Sequence, residues 1–173
     1  MLNRIVALIL LIILSPVFLI LGVLLLFFQG VPVFYIQKRV GLNMRLFSVF
    51  KFRSMSNGNI TFVGKIIRNT GLDELPQLVN ILNGEMSFIG PRPLTLDDVE
   101  RLGWNSLYHS QRWKVRPGLS GLAQLSPVCN RRYSWFLDLY YAQNKTLTID
   151  VNILLQSALV VFVGKRRLKN WKK

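Results

Sequence analysis

The stretch "IVALILLIILSPVFLILGVLLLFF" (residues 5–28) is apolar except for Ser15, Pro16 and Gly22. As one helix rising ~1.5 Å per residue it would reach about 36 Å, enough to cross a hydrocarbon core about 30 Å thick. Pro16 breaks that simple reading. An interior proline removes one helical hydrogen bond and clashes with the preceding turn, and Ser15 can return a hydrogen bond to the backbone that Pro16 leaves unpaired. The two halves, Ile5–Leu14 and Val17–Phe28, are each about half a bilayer long. Arg4 flanks one end and Lys38, Arg39 and Arg45 the other, with no acid to balance either. The positive-inside rule then keeps both ends in the cytoplasm. Physics leaves two readings open: a re-entrant helix that enters and leaves by one face, and a kinked span. A cleaved leader is not expected, because the run exceeds the roughly 7–15 residues of a signal core and no small-x-small site follows.

Around this segment the chain is strongly basic. Its 173 residues, about one domain's worth, carry 22 Lys and Arg against 8 Asp and Glu, a formal charge of +14. That excess predicts attraction to something anionic, whether nucleic acid, phosphorylated substrate or anionic membrane lipid. A nucleic-acid binder does not need the long apolar segment, and the basic residues are spread among Pro-Gly loops instead of along one helix face, so nucleic acid is not expected as a partner. Cys129 and His109 are the only residues of their kinds, which excludes an intrachain disulfide and a His/Cys zinc site.

Phe34–Ile36 and Leu46–Phe52 read as an antiparallel hairpin about "VGLN". "SMSNGN" reads as a loop and "FVGKIIRNTG" as a short helix stopping near Gly71. "LDELPQLVNILNGE" has a helical period and ends at Gly84; "SFIGPRPL" and "VRPGLSGLAQL" read as loops. Residues 97–113 and "RYSWFLDLYYAQN" read as helices, and a last helix of about fourteen residues follows a cap at Thr148. The expected fold is α+β, mostly α. It places a membrane helix broken at Ser15-Pro16 in residues 1–30, and a compact helical body with a small hairpin at the cytoplasmic membrane surface in residues 31–173. The tail 165–173, "KRRLKNWKK", suits anionic headgroups. The composition leaves self-association into a homo-oligomer open.

Asp73 and Glu74 in "GLDELPQL" (71–78) adjoin each other in a chain poor in acids. With Asp73 as N-cap, Pro76 falls at the third helical position, where its missing N–H matters little. The helix dipole there favours an ionised carboxylate and nearby phosphate. Taken alone the pair could be a cap and a first-turn acid. Lys51, Arg53, Lys65, Arg68 and Arg92 all lie within about forty residues, and carboxylates among guanidinium groups suit phosphoryl transfer: arginines bind phosphate, a hard cation joins carboxylate to phosphate, and the carboxylate can attack. "GPRPL" holds Arg92 between rigid neighbours, and "VRPG" (115–118) repeats the device with Arg116.

"KFRSM" (51–55), "GLDELPQLVNILNGEMSFIGPRP" (71–93), "VRPGLSGLAQ" (115–124) and "DLYY" (138–141), behind an apolar segment with an internal Ser-Pro, closely resemble the bacterial sugar transferases known as monotopic phosphoglycosyl transferases. The resemblance covers nearly the whole chain. It implies transfer of a sugar-1-phosphate from a UDP-sugar to polyprenol (undecaprenyl) phosphate, with release of UMP, as the first membrane step of glycan assembly such as exopolysaccharide. It implies a re-entrant first helix at the inner membrane, dipping into one leaflet from the cytoplasm. It also implies Asp73 as a nucleophile forming a covalent phosphosugar intermediate with Mg2+ nearby, Glu74 as assisting acceptor deprotonation or site organisation, and Lys51, Arg68 and Arg92 lining the site. Two departures stand out. The loop over residues 56–63 is shorter than the family's and lacks an acid, and "LSPVCNRRYSW" replaces its more usual Asn-Gly-Arg-like stretch. A non-catalytic membrane scaffold, with "LDELP" as a plain helix start, is the rival reading.

Overall fold

The computed structural model describes residues 1–163 except Asn57, Pro127 and Cys129. The basic tail 165–173 and Cys129 lie outside the described residues. The chain is mostly helical with small two-stranded sheets, an α+β fold. It forms two compact units, Met1–Lys38 with Ser48–Gly84, and Arg39–Phe47 with the described residues from Glu85 on.

In the first unit, α1 (Leu2–Ile13) and α2 (Ser15–Gln29) meet at Leu14 with a bend of 61°. Pro16 has no N–H to give the Ile12 carbonyl, and the Ser15 hydroxyl donates to that same carbonyl at 2.8 Å. No single helix among the described residues is long and apolar enough to cross a membrane. One side of α2 buries Leu21 and Leu25 against Phe52 and Ile67, with Val17, Phe18, Leu72 and Leu75 around them. Much of the rest of the pair stays uncovered: Leu19 is 70% and Phe27 82% exposed.

β1 (Phe34–Val40) and β2 (Leu46–Phe52) pair as the expected hairpin through a 3-10 turn at Leu42–Met44. Within the expected loop, β3 (Met55–Ser56) and β4 (Asn59–Ile60) form a short antiparallel pair. α3 (Phe62–Thr70) starts where the Thr61 hydroxyl accepts from the Gly64 N–H and stops at Gly71, whose φ is 74°. Gly64 is required by close approach, since a Cβ there would lie 1.9 Å from the Ser54 carbonyl oxygen.

The acidic segment departs from its sequence reading. Asp73 does not cap a helix; it lies in a 3-10 turn, Leu72–Glu74, and α4 (Gln77–Asn83) begins after Pro76 without a side-chain cap. The cause is Pro76: without its N–H the ladder is interrupted, and the chain continues through i→i+3 bonds, Leu75 N–H to Leu72 and Leu78 N–H to Leu75. α1 packs along α4, and Arg4 donates to the Asn83 carbonyl at 3.1 Å.

The second unit contains two strands that its sequence conceals. β5 (Ser87–Ile89) pairs in parallel with β6 (Gly118–Ser120), in register Ser87 with Gly118 and Ile89 with Ser120. Residues 97–113 form α5 (Leu96–Leu102) and a separate 3-10 stretch, Leu107–Lys114, parted at Gly103. α6 (Leu122–Leu125), α7 (Arg131–Asn144) and α8 (Leu147–Val163) follow; Thr146, not Thr148, supplies the hydroxyl at the start of α8, accepting from the Ile149 N–H. One core gathers Val40, Val99, Trp104, Trp113 and Trp135, and another Ile89, Tyr141 and Ile153.

Candidate active site

The 3-10 turn presents Asp73 and Glu74 half-buried, next to the end of β2 and to α3. β2 supplies Lys51, whose Nζ lies 2.6 Å from Glu74 Oε1. Arg68, in the last turn of α3, is held by a 2.6 Å bond from its Nε to the Ser54 hydroxyl, and Ser54 is buried. Its charge, with that of Lys51, acts on Asp73.

Burial first, then the Glu74 charge, pushes the Asp73 carboxyl above its usual range, while Lys51 and Arg68 pull it back. This balance keeps a carboxylate that is incompletely solvated yet attracted to cations. Such a group is disposed to bond to an electrophile carrying its own compensating charge. Glu74 differs from its neighbour because it already has a cationic partner.

Arg53 sits apart from this cluster in what it touches. Its guanidinium donates to the carbonyls of Gln29, Gly30 (2.6 Å) and Val31 (3.0 Å) at the C-terminal end of α2. Of these, the Gln29 carbonyl and that of the cap Gly30 lack helical partners and lie at the negative end of the dipole. To take a phosphate, Arg53 would have to give these bonds up.

Arg92 and Arg116 belong to the second unit, both exposed. Their loops are stitched together: Gly118 N–H donates to the Pro91 carbonyl and Ser87 N–H to the Pro117 carbonyl, each at 2.9 Å. The approach is tight enough that a Cβ on Gly90 would lie 2.3 Å from the Arg116 carbonyl oxygen. Arg112, unmarked in the sequence reading, holds the first loop from behind, donating to the Arg92 carbonyl at 2.7 Å and to Asp138 Oδ2 at 2.8 Å. The guanidinium lies over the Trp104 and Trp113 rings, 5.1 and 4.5 Å from their centroids. Burial pushes the Asp138 carboxyl up, and the Arg112 contact opposes this. Ser54 and Asn80 also carry no functional signal in the sequence; both are buried polar residues, and both lie inside the motifs of residues 51–55 and 71–93.

A family model described as bacterial sugar transferase matches residues 1–164. This chain belongs to the bacterial sugar transferase family. The undecaprenyl-phosphate N-acetylgalactosaminephosphotransferase of Aeromonas hydrophila, which takes its name from UDP-N-acetylgalactosamine, is 35% identical over 169 residues, covering 87% of this chain and 40% of the relative. The undecaprenyl-phosphate galactose phosphotransferase of Salmonella typhimurium is 35% identical over 164 residues, 77% of this chain and 34% of its own. The exopolysaccharide production protein ExoY of Sinorhizobium fredii is 34% identical over 194 residues, 92% and 83% respectively. The chain therefore spans less than half of the first two relatives and most of the third.

Proposed function

We propose that this transferase moves a sugar-1-phosphate from a UDP-sugar to polyprenol phosphate and releases UMP, as the first membrane step of glycan assembly. The observation that carries this is the half-buried Asp73 carboxylate, without an ion-pair partner among the described residues, beside Lys51–Glu74 and under the charge of Arg68. The names of the Aeromonas and Salmonella relatives support the substrate class, and their different sugars leave the sugar of this chain open.

In this reading an Asp73 carboxylate oxygen attacks the phosphorus that bears the sugar. The bond from that phosphorus to the bridging oxygen breaks, and UMP departs with the oxygen and its electron pair. A phosphate oxygen of the polyprenol phosphate then attacks the same phosphorus, the aspartyl–phosphorus bond breaks, and Asp73 returns as a carboxylate. Lys51, kept beside the dyad by Glu74, and Arg68, kept by Ser54, compensate the charge that builds on the phosphoryl oxygens. In the second unit, taken by itself, Arg92 and Arg116 are exposed guanidinium groups on stitched loops, suited to phosphate with little freedom to lose. Glu74 organises the site.

Mg2+ fits the donors present. It is held by one or two carboxylates together with substrate phosphate and water, and among the described residues no larger cluster of metal-binding side chains forms. Asp73 is the protein ligand in this reading. Bound there, the ion would supply neutralising charge to the diphosphate.

The exposed apolar surface of α1 and α2 supports insertion in the inner membrane, with the catalytic residues facing the cytoplasm. Both ends of the bent pair are tied to one unit, through Arg4 to Asn83 and through Arg53 to residues 29–31, which favours re-entrance. A screen of UDP-sugars with undecaprenyl phosphate tests the activity. UMP release with at least one donor, lost in Asp73→Asn, is expected; release from both proteins alike defeats the nucleophile. For topology, a cysteine beside Arg4 should resist an impermeant reagent applied to intact cells, and labelling would establish a span.

A further inference from the structure

Asn80, in α4, is fully buried, and its amide makes two bonds to the backbone of β2. Oδ1 accepts from the Phe50 N–H at 3.1 Å, and Nδ2 donates to the Ser48 carbonyl at 2.6 Å. Two residues apart on a strand, such groups point to the same edge, where a neighbouring strand would meet them with one acceptor and one donor. A side-chain amide offers that same pair. Asn80 thus stands in for the backbone of an absent strand.

The next residue of β2 is Lys51, 2.6 Å from Glu74. Glu74 and Asn80 are carried on the same stretch of chain, the 3-10 turn and α4, so β2 is tied to that stretch twice within four residues, 48–51. The two ties are unequal. A partly exposed Lys–Glu pair on a flexible stem is too weak to fix a strand, whereas a buried amide bonded at both ends allows no sliding without orphaning a backbone group. A slip of one residue would move β2 by about 3.3 Å and turn Lys51 to the opposite face.

We propose that Asn80 is the positioning residue of the Lys51–Glu74 pair: it fixes the register of β2 on α4 and thereby keeps the Lys51 ammonium at the dyad, a role in turnover that rests on the transferase reading above. Only an asparagine has the required groups at the required reach. Aspartate keeps the acceptor for Phe50 but turns an oxygen on the Ser48 carbonyl, and glutamine is one methylene too long.

A double-mutant cycle on the full-length protein, read as UMP release, separates positioning from packing. Asn80→Asp should lower turnover roughly tenfold in the native background and less than twofold when Lys51→Met is already present, because its effect passes through Lys51. Equal losses in both backgrounds overturn the assignment. A second measurement needs no substrate: amide exchange at Phe50 in the full-length protein should accelerate in Asn80→Ala relative to wild type. Unchanged exchange there overturns the clamp whatever the activity. Absence of UMP release from the wild-type protein would defeat the transferase reading and leave the exchange result standing.

Discussion

Two ion pairs of similar length sit one in each unit, Lys51–Glu74 at 2.6 Å and Arg112–Asp138 at 2.8 Å. The side chains of the first are 22% and 32% exposed, those of the second 3% and 5%. The distances are close; the exposure to solvent is not. A part-exposed pair contributes about 0–1 kcal/mol to stability, so its charges can be redirected to an incoming phosphate at little cost. A sealed pair costs about 3–5 kcal/mol when one partner is removed, because the other is left charged and unpaired. Arg112 is moreover fully engaged, with Asp138, the Arg92 carbonyl and two tryptophan rings. In the proposed reading the first pair serves the chemistry, while the second holds a loop.

The contrast can be broken by substitution. The largest effect belongs to the group beside the exposed pair: Asp73→Asn should reduce UMP release by roughly 10⁴-fold, the scale of losing a nucleophile, with thermal unfolding little changed. Next is Arg112→Ala, expected to lower unfolding stability by about 3–5 kcal/mol in a denaturant titration. Replacing both Arg112 and Asp138 by apolar residues should cost less than that single change. Lys51→Met should do the reverse of Arg112→Ala, shifting stability by less than about 1 kcal/mol and lowering turnover by about 10²-fold. If Lys51→Met destabilises as much as Arg112→Ala, the distinction between the two pairs fails.

The smallest effect sharpens the same point at a third ion pair. Asp98 and Thr95 form a capping box at the start of α5, and Arg101 donates to Asp98 at 2.7 Å. The Arg101 bond foremost holds the Asp98 carboxyl below its usual range; burial opposes it, and the Thr95 bonds add to the lowering. A depressed value in the folded chain adds stability above the unfolded value, about 3.9, and that gain is lost as pH falls through the folded value. Asp98→Asn should therefore flatten the acid limb of stability against pH, and Thr95→Ala should cost about 1 kcal/mol at neutral pH.

Local signals were the legible part of the fold. Thr61 and Gly71 bracket α3 as a cap and a left-handed stop should, and Ser15-Pro16 marks the bend between α1 and α2 together with the carbonyl that Ser15 rescues. β5 and β6 were not legible, because each has three residues set among prolines and glycines, and their pairing joins Ser87 to Gly118 across the intervening α5 and 3-10 stretch. The Asp73 turn was misread as a capped helix because a missing N–H at Pro76 shifts the helix start without changing the apolar period. At the site, residue types were readable and partners were not. Nothing in the spacing of Lys51 and Glu74 shows that they meet; that requires β2 on α4, which Asn80 secures. Arg53 shares the charge of Lys51 and lies two residues along the chain, yet its bonds go to the end of α2. Arg112 gave no signal because burial of a charge among Trp104 and Trp113 is a property of packing alone.

The central claim is that Asp73 forms a bond to phosphorus. It is tested by incubating the protein with a UDP-sugar labelled in the sugar-linked phosphate, without lipid acceptor, and mapping the label by peptide mass spectrometry. The account predicts one sugar-phosphate on the peptide containing Asp73, discharged by added undecaprenyl phosphate and absent from Asp73→Asn. Turnover of the same donor with label passing to lipid and none ever held on the protein would contradict it.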